Sequence, residues 1–434
     1  MSEATETGAD AAVESPAFLQ AVADFGGKRE ISTSQPIYNV QGTKLLEGGV
    51  AIDQGLYDRL VSHRLSLPLD ECIDAGPPLS ADVLREAADA AIARWPLFAR
   101  MGPAGAARRE LVDALAGVAV PKPVGLHLML AREVRPALFA HSILMALLSA
   151  HLVRERGASR AAIGHAAAAG LLHDLGMLHI DPDLLDSDDR LSGDRLKPVY
   201  VHPLTSSMLV DRFAEYPKEI VRAIAEHHER LDGSGYPRGI GGDAVSPLGR
   251  VLSLAEVVTA MFDGERRHPE QRVSLLLRIN PRRYDARAVA EVHRLLAGIE
   301  PGPAEDIAAG DSIARLLRLA GALGSWRTAS AALEGDLGAA HGALVRSMNE
   351  QNATLQRMLY DAGITAEQLA LLADDSGAAD AAWRVELWAL AEELLWQLHA
   401  AANQLKRRWQ ATEPGTAYPA ALAAWFGAVE ALDS

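Results

Sequence analysis

Between residues 122 and 300 the hydrophobic positions follow helical spacing, with few polar interruptions. The segment ALFAHSILMALLSAHLV, which follows Pro136, is apolar on every side and predicts a fully buried helix. Proline fits that position because the first turn of a helix has no amide hydrogen bond to lose. Ser159 is a predicted N-cap for a second helix, and residues 247–262 predict a third around one acid, Glu256. This part of the chain is therefore predicted to be a mainly α-helical bundle.

The pattern before residue 122 is more mixed. Residues 1–30 are rich in Ala, Glu, Ser and Thr and predict a disordered tail. Ser80 is a candidate cap for a helix that runs to about Met101. Residues 31–121 are predicted to form a small α/β module with linking helices. Two apolar segments flank a Gln-Gly turn and predict strand, turn and strand: PIYNV (36–40) and TKLLEGGVAI (43–52).

A third region, residues 303–434, is rich in Ala and Leu and predicts further helices. It contains six of the seven tryptophans, in a chain that has few other aromatic residues. We expect these side chains to be buried in a helix-bundle core or in a dimer seam. A homodimer is therefore one of the possible assemblies. The six are Trp326, Trp383, Trp388, Trp396, Trp409 and Trp425.

Composition supports a folded, helix-rich protein. Of the 434 residues, 49% are hydrophobic, 23% are charged and only 5% are aromatic, with alanine prominent. No apolar run approaches the roughly 20 residues of a membrane span, and the acidic N-terminus does not resemble a signal peptide. Cys72 is the only cysteine, which excludes an internal disulfide and a cysteine-cluster metal site. These features predict a cytoplasmic protein without a membrane span.

The net charge of −15 argues against a nucleic-acid binder, because no basic face stands out that would hold a phosphate backbone. We therefore predict no DNA or RNA partner. A phosphate-bearing substrate would need local positive charge, which metal ions supply. Eight of the fourteen histidines lie between His141 and His228, which indicates such a site.

Seven imidazole or carboxylate side chains lie in predicted helices or at their ends, in otherwise apolar segments. A single buried histidine is usually a satisfied core residue, but this number from five helices indicates metal binding. Nitrogen and oxygen ligands without a thiolate suit iron, manganese, zinc or nickel. The carboxylate of the His-Asp pair has two oxygens and can bridge two metals, which together clamp the oxygens of a phosphoryl displacement. The seven are His141, His173, Asp174, His202, His227, His228 and Glu256.

At these residues the chain resembles the HD-GYP domain, a branch of the HD phosphohydrolase superfamily that hydrolyses the bacterial second messenger cyclic di-GMP. The spacings of 32, 29, 26 and 28 residues from His141 through His173, His202 and His228 to Glu256 agree with the family pattern. We place this domain at residues 122–300. The matching segments are His141-Ser142, LLHDLG (171–176), HPLTS (202–206), HHERLDGSGYP (227–237) and LAEVVTAM (254–261).

The resemblance implies a cyclic di-GMP phosphodiesterase that forms pGpG or GMP with two divalent transition-metal ions, iron or manganese. It implies catalytic roles for His173 and Asp174. One metal would be held by His141, His173, Asp174 and Glu256, and the other by Asp174, His202, His227 and His228. The loop of Asp232, Gly233, Gly235, Tyr236 and Pro237 would form the substrate rim or a docking surface for diguanylate cyclase domains.

Three departures from the family pattern bear on activity. Met177 stands where the family has a lysine that contacts the scissile phosphate, and Glu256 replaces the usual aspartate. Ala137 replaces a glutamate that some members use for a third metal, which favours a two-metal site. Arg266 or Arg267 is a candidate phosphate contact, since the segment around them loosely echoes an arginine-containing family segment.

Two classes of function therefore stay open. One is the phosphodiesterase. The other is a catalytically weak or inactive signalling module that acts as a nucleotide receptor or a protein-interaction platform, and hydrolysis of another nucleotide is a third alternative. Outside the ligand set we expect His151 to be structural and His179 to lie near the site, with His165 less suited to ligation. The candidate substitutes for the missing lysine are Lys197, Lys218 and Arg230.

Overall fold

The computed structural model describes residues 15–76, 79–102, 105–182, 184, 197–264, 267–300, 307–333, 337–361, 381–412, 415 and 417–433. These residues are mainly α-helical, as predicted, with four very short strands near the N-terminus. They form two compact units. The first unit contains the described residues up to 184 together with 197–264 and 282–295, and the second contains 267–281 and the described residues from 296 onward.

The first unit begins with helix α1 (Pro16–Gly26), which corrects the prediction of a disordered tail over residues 1–30. Ser15 caps the helix through its hydroxyl, which accepts a hydrogen bond from the amide of Phe18. Phe18, Val22 and Phe25 are all buried, so this amphipathic segment gains enough apolar contact to fold. Residues 1–14 lie outside the described part of the chain.

The predicted strand–turn–strand is present as β2 (Ile37–Tyr38) paired antiparallel with β3 (Lys44–Leu46). Asn39 holds the turn, because its side-chain oxygen accepts hydrogen bonds from the amides of Gln41 and Thr43. A second antiparallel pair joins β1 (Ser32–Thr33) to β4 (Ile73–Asp74). The helix predicted from Ser80 to Met101 is divided at Trp95, because Pro96 disfavours helical geometry in the residue before it. The helices of this part are α2 (Gln54–Leu60), α3 (Ala81–Arg94), α4 (Pro96–Met101), α5 (Ala106–Ala116) and α6 (Lys122–Val134).

The core of the first unit is the buried helix α7 (Pro136–Arg154), which packs against α8 (Arg160–Leu172). Gly170 permits the close approach of these two helices. A Cβ atom there would lie 2.6 Å from the carbonyl oxygen of Met145 and 2.7 Å from the Cα of Ala146. The alanine-rich sequence of α8 serves the same purpose, since small side chains let helix axes approach.

Helix α7 also corrects the expectation that no apolar run approaches the length of a membrane span. Within the described ranges it is the one helix long and apolar enough to cross a membrane, with 19 residues and a mean hydropathy of 1.7 in its most apolar window. However, 72% of that window is buried inside the protein. A core helix passes the same length and hydropathy test, so this is weak evidence for a membrane span.

The remaining helices of the first unit are α9 (Lys197–Asp211), α10 (Lys218–Glu226), α11 (Pro247–Thr259) and α13 (Ala286–Leu296). Helix α10 packs against α9, α11 and α8, and α11 packs against α7. Helix α13 is tied to α7 by a buried pair, in which the Nε2 of His151 lies 2.9 Å from a carboxylate oxygen of Glu291. His151 is thus structural, as expected.

The second unit is a helical bundle around a core that includes Leu316, Trp326 and Leu394. Three of its tryptophans (326, 409 and 425) are buried and two (383 and 388) are half-buried. Trp396 is 65% exposed, so it is not buried within this unit, and its burial in a dimer seam stays a prediction. Residues 269–279 belong to this unit although the predicted domain 122–300 includes them, so the domain boundaries stay a prediction. Its helices are α12 (Pro269–Ile279), α14 (Ala309–Leu333), α15 (Ala339–Asp361), α16 (Ala381–Thr412) and α17 (Ala420–Glu430).

Candidate metal centre

The His-Asp pair lies at the point where α8 ends. The helix ends at Leu172, His173 is its C-cap residue, and Asp174 precedes a 3-10 turn over Leu175–His179. Gly176 in this turn allows α9 to approach, because a Cβ there would lie 2.6 Å from the carbonyl oxygen of His202. The motif glycine thus brings His202 to the pair.

Three histidine rings of the centre are held by the same hydrogen bond. The Nδ1 of His173 donates to the carbonyl of Gly170 over 2.8 Å. The Nδ1 of His202 donates to Val199 over 2.5 Å, and that of His227 to Ile224 over 2.6 Å. Because a carbonyl oxygen only accepts, each Nδ1 carries the proton and each Nε2 has a free lone pair. The helical backbone therefore fixes both the tautomer and the direction of all three rings.

The three Nε2 atoms converge on Asp174. One carboxylate oxygen of Asp174 lies 3.0 Å from the Nε2 of His202 and 3.5 Å from that of His227. Its other oxygen lies 3.3 Å from the Nε2 of His173. Asp174 thus faces two sets of histidines with its two oxygens, which is the arrangement of a bridging carboxylate.

Glu256 on α11 and His141 on α7 complete the same side of the centre. A carboxylate oxygen of Glu256 lies 3.1 Å from the Nε2 of His141 and 3.3 Å from that of His173. On the other side of its ring, the Nδ1 of His141 lies 3.2 Å from a carboxylate oxygen of Asp263. Asp263 was not among the predicted residues. It orients a ligand ring through the nitrogen that faces away from the centre.

His228 and Tyr236 form the opposite side. Their rings are stacked, with centroids 4.4 Å apart, and the exposed ring of Tyr200 meets Tyr236 edge-on at 4.8 Å. Donor atoms of three overlapping groups of side chains lie within 4.8 Å of one another: His141, His173 and Asp174; His173, His227 and Glu256; and His202, His227 and His228. The structure therefore brings together all seven predicted ligands.

The donor set fits metal ions. The Nε2 atoms of His202 and His227 lie 3.2 Å apart with their lone pairs facing each other, an arrangement that only a cation or a proton between them makes favourable. The Nε2 of His173 and one oxygen of Asp174 are buried without a hydrogen-bond partner in the described structure. Buried polar atoms of this kind are costly unless a ligand satisfies them.

The electrostatics of the centre also call for positive charge. Burial lowers the pKa of His173, but the carboxylates of Asp174 and Glu256 outweigh it and raise that pKa to about 9. For Asp174 the signs are reversed. Burial raises the pKa of its carboxyl, but His173 and His202 outweigh burial and hold that pKa well below its usual range. The same carboxylates that would stabilise a proton on an imidazole would stabilise a metal cation in its place.

The predicted loop folds over the centre with the backbone that its glycines permit. A Cβ on Gly235 would lie 2.4 Å from the carbonyl oxygen of His228, and Gly233 has a positive φ of 77°. Asp232 accepts hydrogen bonds from the amide and hydroxyl of Ser234. Tyr236 and Pro237 follow, joined by a cis peptide bond.

Two buried acids that were not predicted hold this loop. The two carboxylate oxygens of Glu229 accept hydrogen bonds from the amides of Arg238 and Ile240, over 2.8 and 3.0 Å. Glu226 accepts one from the amide of Ser246 over 2.8 Å. Glu226 and Glu229 flank His227 and His228 in the sequence, so their position next to predicted ligands was visible. The amides that they bind lie nine to twenty residues farther along the chain, which the sequence does not reveal.

Residues 126–288 match the family described as HD domain. Within this segment lie the His-Asp motif at 173–174 and the HHERLDGSGYP motif at 227–237, with their side chains around one centre. The chain therefore contains an HD domain, at residues 126–288, that carries the motifs of the HD-GYP branch.

Its HD-GYP segment is similar to curated bacterial enzymes. It is 28% identical over 184 residues to the cyclic di-GMP phosphodiesterase PA4108 of Pseudomonas aeruginosa, a match that covers 42% of this chain and 44% of that protein. It is 32% identical over 123 residues to the 3'3'-cGAMP-specific phosphodiesterase 1 of Vibrio cholerae, which covers 28% of each chain. The chain thus spans less than half the length of these relatives. A solved structure, the HDG"Y"P protein Bd1817 of Bdellovibrio bacteriovorus, aligns with 62% of this chain and 95% of its own, at 16% identity and a TM-score of 0.36.

Other predicted residues of the HD-GYP segment lie outside the centre. His165 contacts Glu219 at a half-exposed position, and the ring of His179 stacks on Phe18. Arg230, a candidate substitute for the missing lysine, donates to the hydroxyl of Ser253 over 3.0 Å and thereby holds the loop. Lys218 pairs with Asp211, Lys197 is exposed, Arg266 lies outside the described residues, and Arg267 belongs to the second unit.

Proposed function

We propose that this protein is a metal-dependent phosphodiesterase that hydrolyses cyclic dinucleotides, with cyclic di-GMP as the substrate and pGpG or GMP as the product. The observation that carries this proposal is the set of three imidazoles whose Nδ1 protons are engaged by the backbone while their Nε2 lone pairs converge on Asp174. The similarity of the HD-GYP segment to cyclic di-GMP and cGAMP phosphodiesterases supports the choice of substrate class.

Two divalent transition-metal ions, iron or manganese, fit the donor set. One would be held by His141, His173, Asp174 and Glu256, and the other by Asp174, His202, His227 and His228. Bound there, such ions supply Lewis-acid chemistry, neutralising phosphoryl oxygens and lowering the pKa of a water nucleophile.

The protein's own residues orient this chemistry. Asp174 aligns the two sets of ligands, and Asp263 and the helix carbonyls keep the rings in one tautomer. Burial raises the pKa of Tyr236 well above its ordinary value, so the phenol stays protonated at the rim and can donate a hydrogen bond to an anionic oxygen. Docking of diguanylate cyclase domains on the same loop, and a cytoplasmic location, stay predictions.

Met177 favours a second candidate, a nucleotide receptor or interaction platform that turns over slowly or not at all. Its backbone is engaged, because its carbonyl accepts a hydrogen bond from Arg135 over 2.7 Å. Arg135 also donates to the carbonyl of Ile180 over 2.5 Å, so this guanidinium stabilises the turn and is occupied there. Arg135 therefore does not take the place of the lysine that the family has at the position of Met177.

The decisive experiment is a direct assay of the full chain, purified anaerobically and reconstituted with iron or manganese. We expect about two metal ions per chain, hydrolysis of cyclic di-GMP, and loss of activity on chelation. The same assay with 3'3'-cGAMP ranks the two substrates. Less than one metal per chain after reconstitution would contradict the metal centre.

A matched pair of variants on α8 separates the site from the fold. His173→Ala removes a ligand at the end of this helix, whereas His165→Ala removes a half-exposed ring on the same helix that contacts Glu219. We expect His173→Ala and Asp174→Ala to abolish hydrolysis and to lower the metal content, and His165→Ala to preserve both. Two bound metals with no turnover would favour the receptor.

A further inference from the structure

The second unit contains a cavity of about 360 Å³ that is separate from the metal centre. Among the described residues of its lining, three are arginines, Arg267, Arg315 and Arg318, and one is an acid, Asp311. Glu392 pairs with Arg315, so the described lining together with this partner carries three arginines against two acids. An excess of positive charge in a concave site selects for an anion.

The arginines are held in different ways. Arg315 pairs with Glu392, which fixes its side chain at the wall of the cavity. Arg267 lies with its guanidinium carbon 5.9 Å from the centre of the Trp388 indole ring, a cation–π arrangement. Arg318 is exposed, one helical turn after Arg315, and no carboxylate of the described chain lies within ion-pair distance of it. A guanidinium fork of this kind binds a phosphate through two hydrogen bonds.

The N-terminal end of α14 adds to the positive electrostatic potential in the cavity. Ala308 precedes this helix, and Asp311 and Ser312 lie in its first turn, and all three line the cavity. The N-terminal end of a long helix carries a partial positive charge and amide groups without intrahelical partners. The helix end and the arginines therefore favour an anion at the same place.

The rest of the lining is apolar and limits the size of the ligand. Ile307, Ala314, Ala391 and the half-buried indole of Trp388 provide the apolar wall. A volume of about 360 Å³ lies near the lower end of small-molecule pockets, which begin at about 300 Å³. This suits a mononucleotide better than a dinucleotide.

We propose that this cavity binds a small organic phosphate of mononucleotide size, with Arg318 and Arg267 on the phosphate and the Trp388 wall against the organic part. The proposal does not depend on the phosphodiesterase activity, because the described lining residues all belong to the second unit.

The test is calorimetric titration of the full chain, depleted of metal with a chelator so that the metal centre does not bind the probes. GMP, UMP and inorganic phosphate are the three probes. We expect both nucleotides to bind with a Kd below about 1 mM and inorganic phosphate to bind at least about tenfold more weakly. No binding of GMP and UMP up to about 5 mM would overturn the proposal. Equal affinity for inorganic phosphate would overturn the role of the apolar wall.

Variants locate the binding. Arg318→Ala and Arg267→Ala should each weaken GMP binding about tenfold, as expected for loss of a charge-assisted contact. Arg327→Ala is the matched control, because this exposed arginine lies on the opposite face of α14 from Arg318. It should leave the Kd unchanged. If all three variants bind GMP alike, or if Arg327→Ala weakens binding as much as the other two, the nucleotide does not occupy this cavity.

Discussion

The imidazole rings of His173, His202 and His227 are oriented by the helix backbone. In each ring the proton on Nδ1 is committed to the carbonyl three residues earlier, so the ring cannot rotate or change tautomer without losing a hydrogen bond. This preorganisation lowers the entropy that a metal ion must remove when it binds.

At the residue scale, we expect Met177 to limit the rate of the proposed hydrolysis. A lysine there would place a positive charge near the scissile phosphate, a contact worth a few kcal/mol, so its loss slows the reaction roughly 10²- to 10³-fold. We expect Met177→Lys to be at least as active as the wild type, while Met177→Leu stays slow. The measurement is kcat for cyclic di-GMP at full metal occupancy. If the wild type and Met177→Lys are both inert with two metals bound, the phosphodiesterase proposal fails.

At the scale of elements, the packing of α8 against α7 requires a glycine at position 170 but not at position 164. Gly170→Ala would place its Cβ 2.6 Å from the Met145 carbonyl, against backbone that cannot easily move, whereas Gly164 in the same helix has nothing within 4 Å. We expect Gly170→Ala to cost about 1–3 kcal/mol and Gly164→Ala to be neutral or to stabilise by up to about 1 kcal/mol. Chemical denaturation measures both free energies of unfolding. Equal effects would mean that α7 and α8 are not in such close contact.

Helix α1 should be sensitive to acid. The ring of Phe18 lies between those of His127 and His179, with centroids 4.7 and 4.6 Å away. Burial, then the neighbouring charges of His127, Arg135 and Arg212, lowers the pKa of His179 to about 3, and burial also lowers the pKa of His127 despite Asp70. Both pKa values are depressed from the ordinary 6.5, so the stability they contribute is present above that pH and is lost as the pH falls below it.

Hydrogen exchange in Pro16–Gly26 measures this effect. We expect protection of this helix to fall between about pH 7 and about pH 5, and His179→Gln, which cannot titrate in this range, to reduce the fall. An unchanged pH dependence in that variant would show that other groups are responsible.

Much of this organisation was predictable from local sequence, and the rest depends on distant partners. The helices around His141 and Glu256, the Ser159 cap and the clustering of the seven predicted ligands follow from apolar spacing and from motifs. Asp263 could not be identified in this way, because its partner His141 is 122 residues away in the chain. The sequence likewise did not tell Trp396 from the buried tryptophans, since its exposure within the unit depends on which face of α16 the other helices cover.

On the scale of the whole molecule, the described residues form two compact units, and the seven predicted ligands all lie in the first. Trp326 is 1% exposed, so Trp326→Ala should destabilise the second unit by about 3–5 kcal/mol. Trp396→Ala, at a 65% exposed position, should change stability by less than about 0.5 kcal/mol. Both variants should keep their metals, as measured by elemental analysis alongside thermal unfolding. Loss of metal in Trp326→Ala would show that the centre depends on the C-terminal region.

Two helices end at the metal centre, since His173 is the C-cap residue of α8 and His227 that of α10. A helix carries roughly half a negative charge at its C-terminal end, and here two such ends add to the carboxylates of Asp174 and Glu256. These helix ends therefore disfavour a phosphodiester in the bare centre and favour a cation there. We therefore expect an order of binding in which the ions enter first and the dinucleotide second, so that a chelator should release the nucleotide as well as stop the proposed hydrolysis.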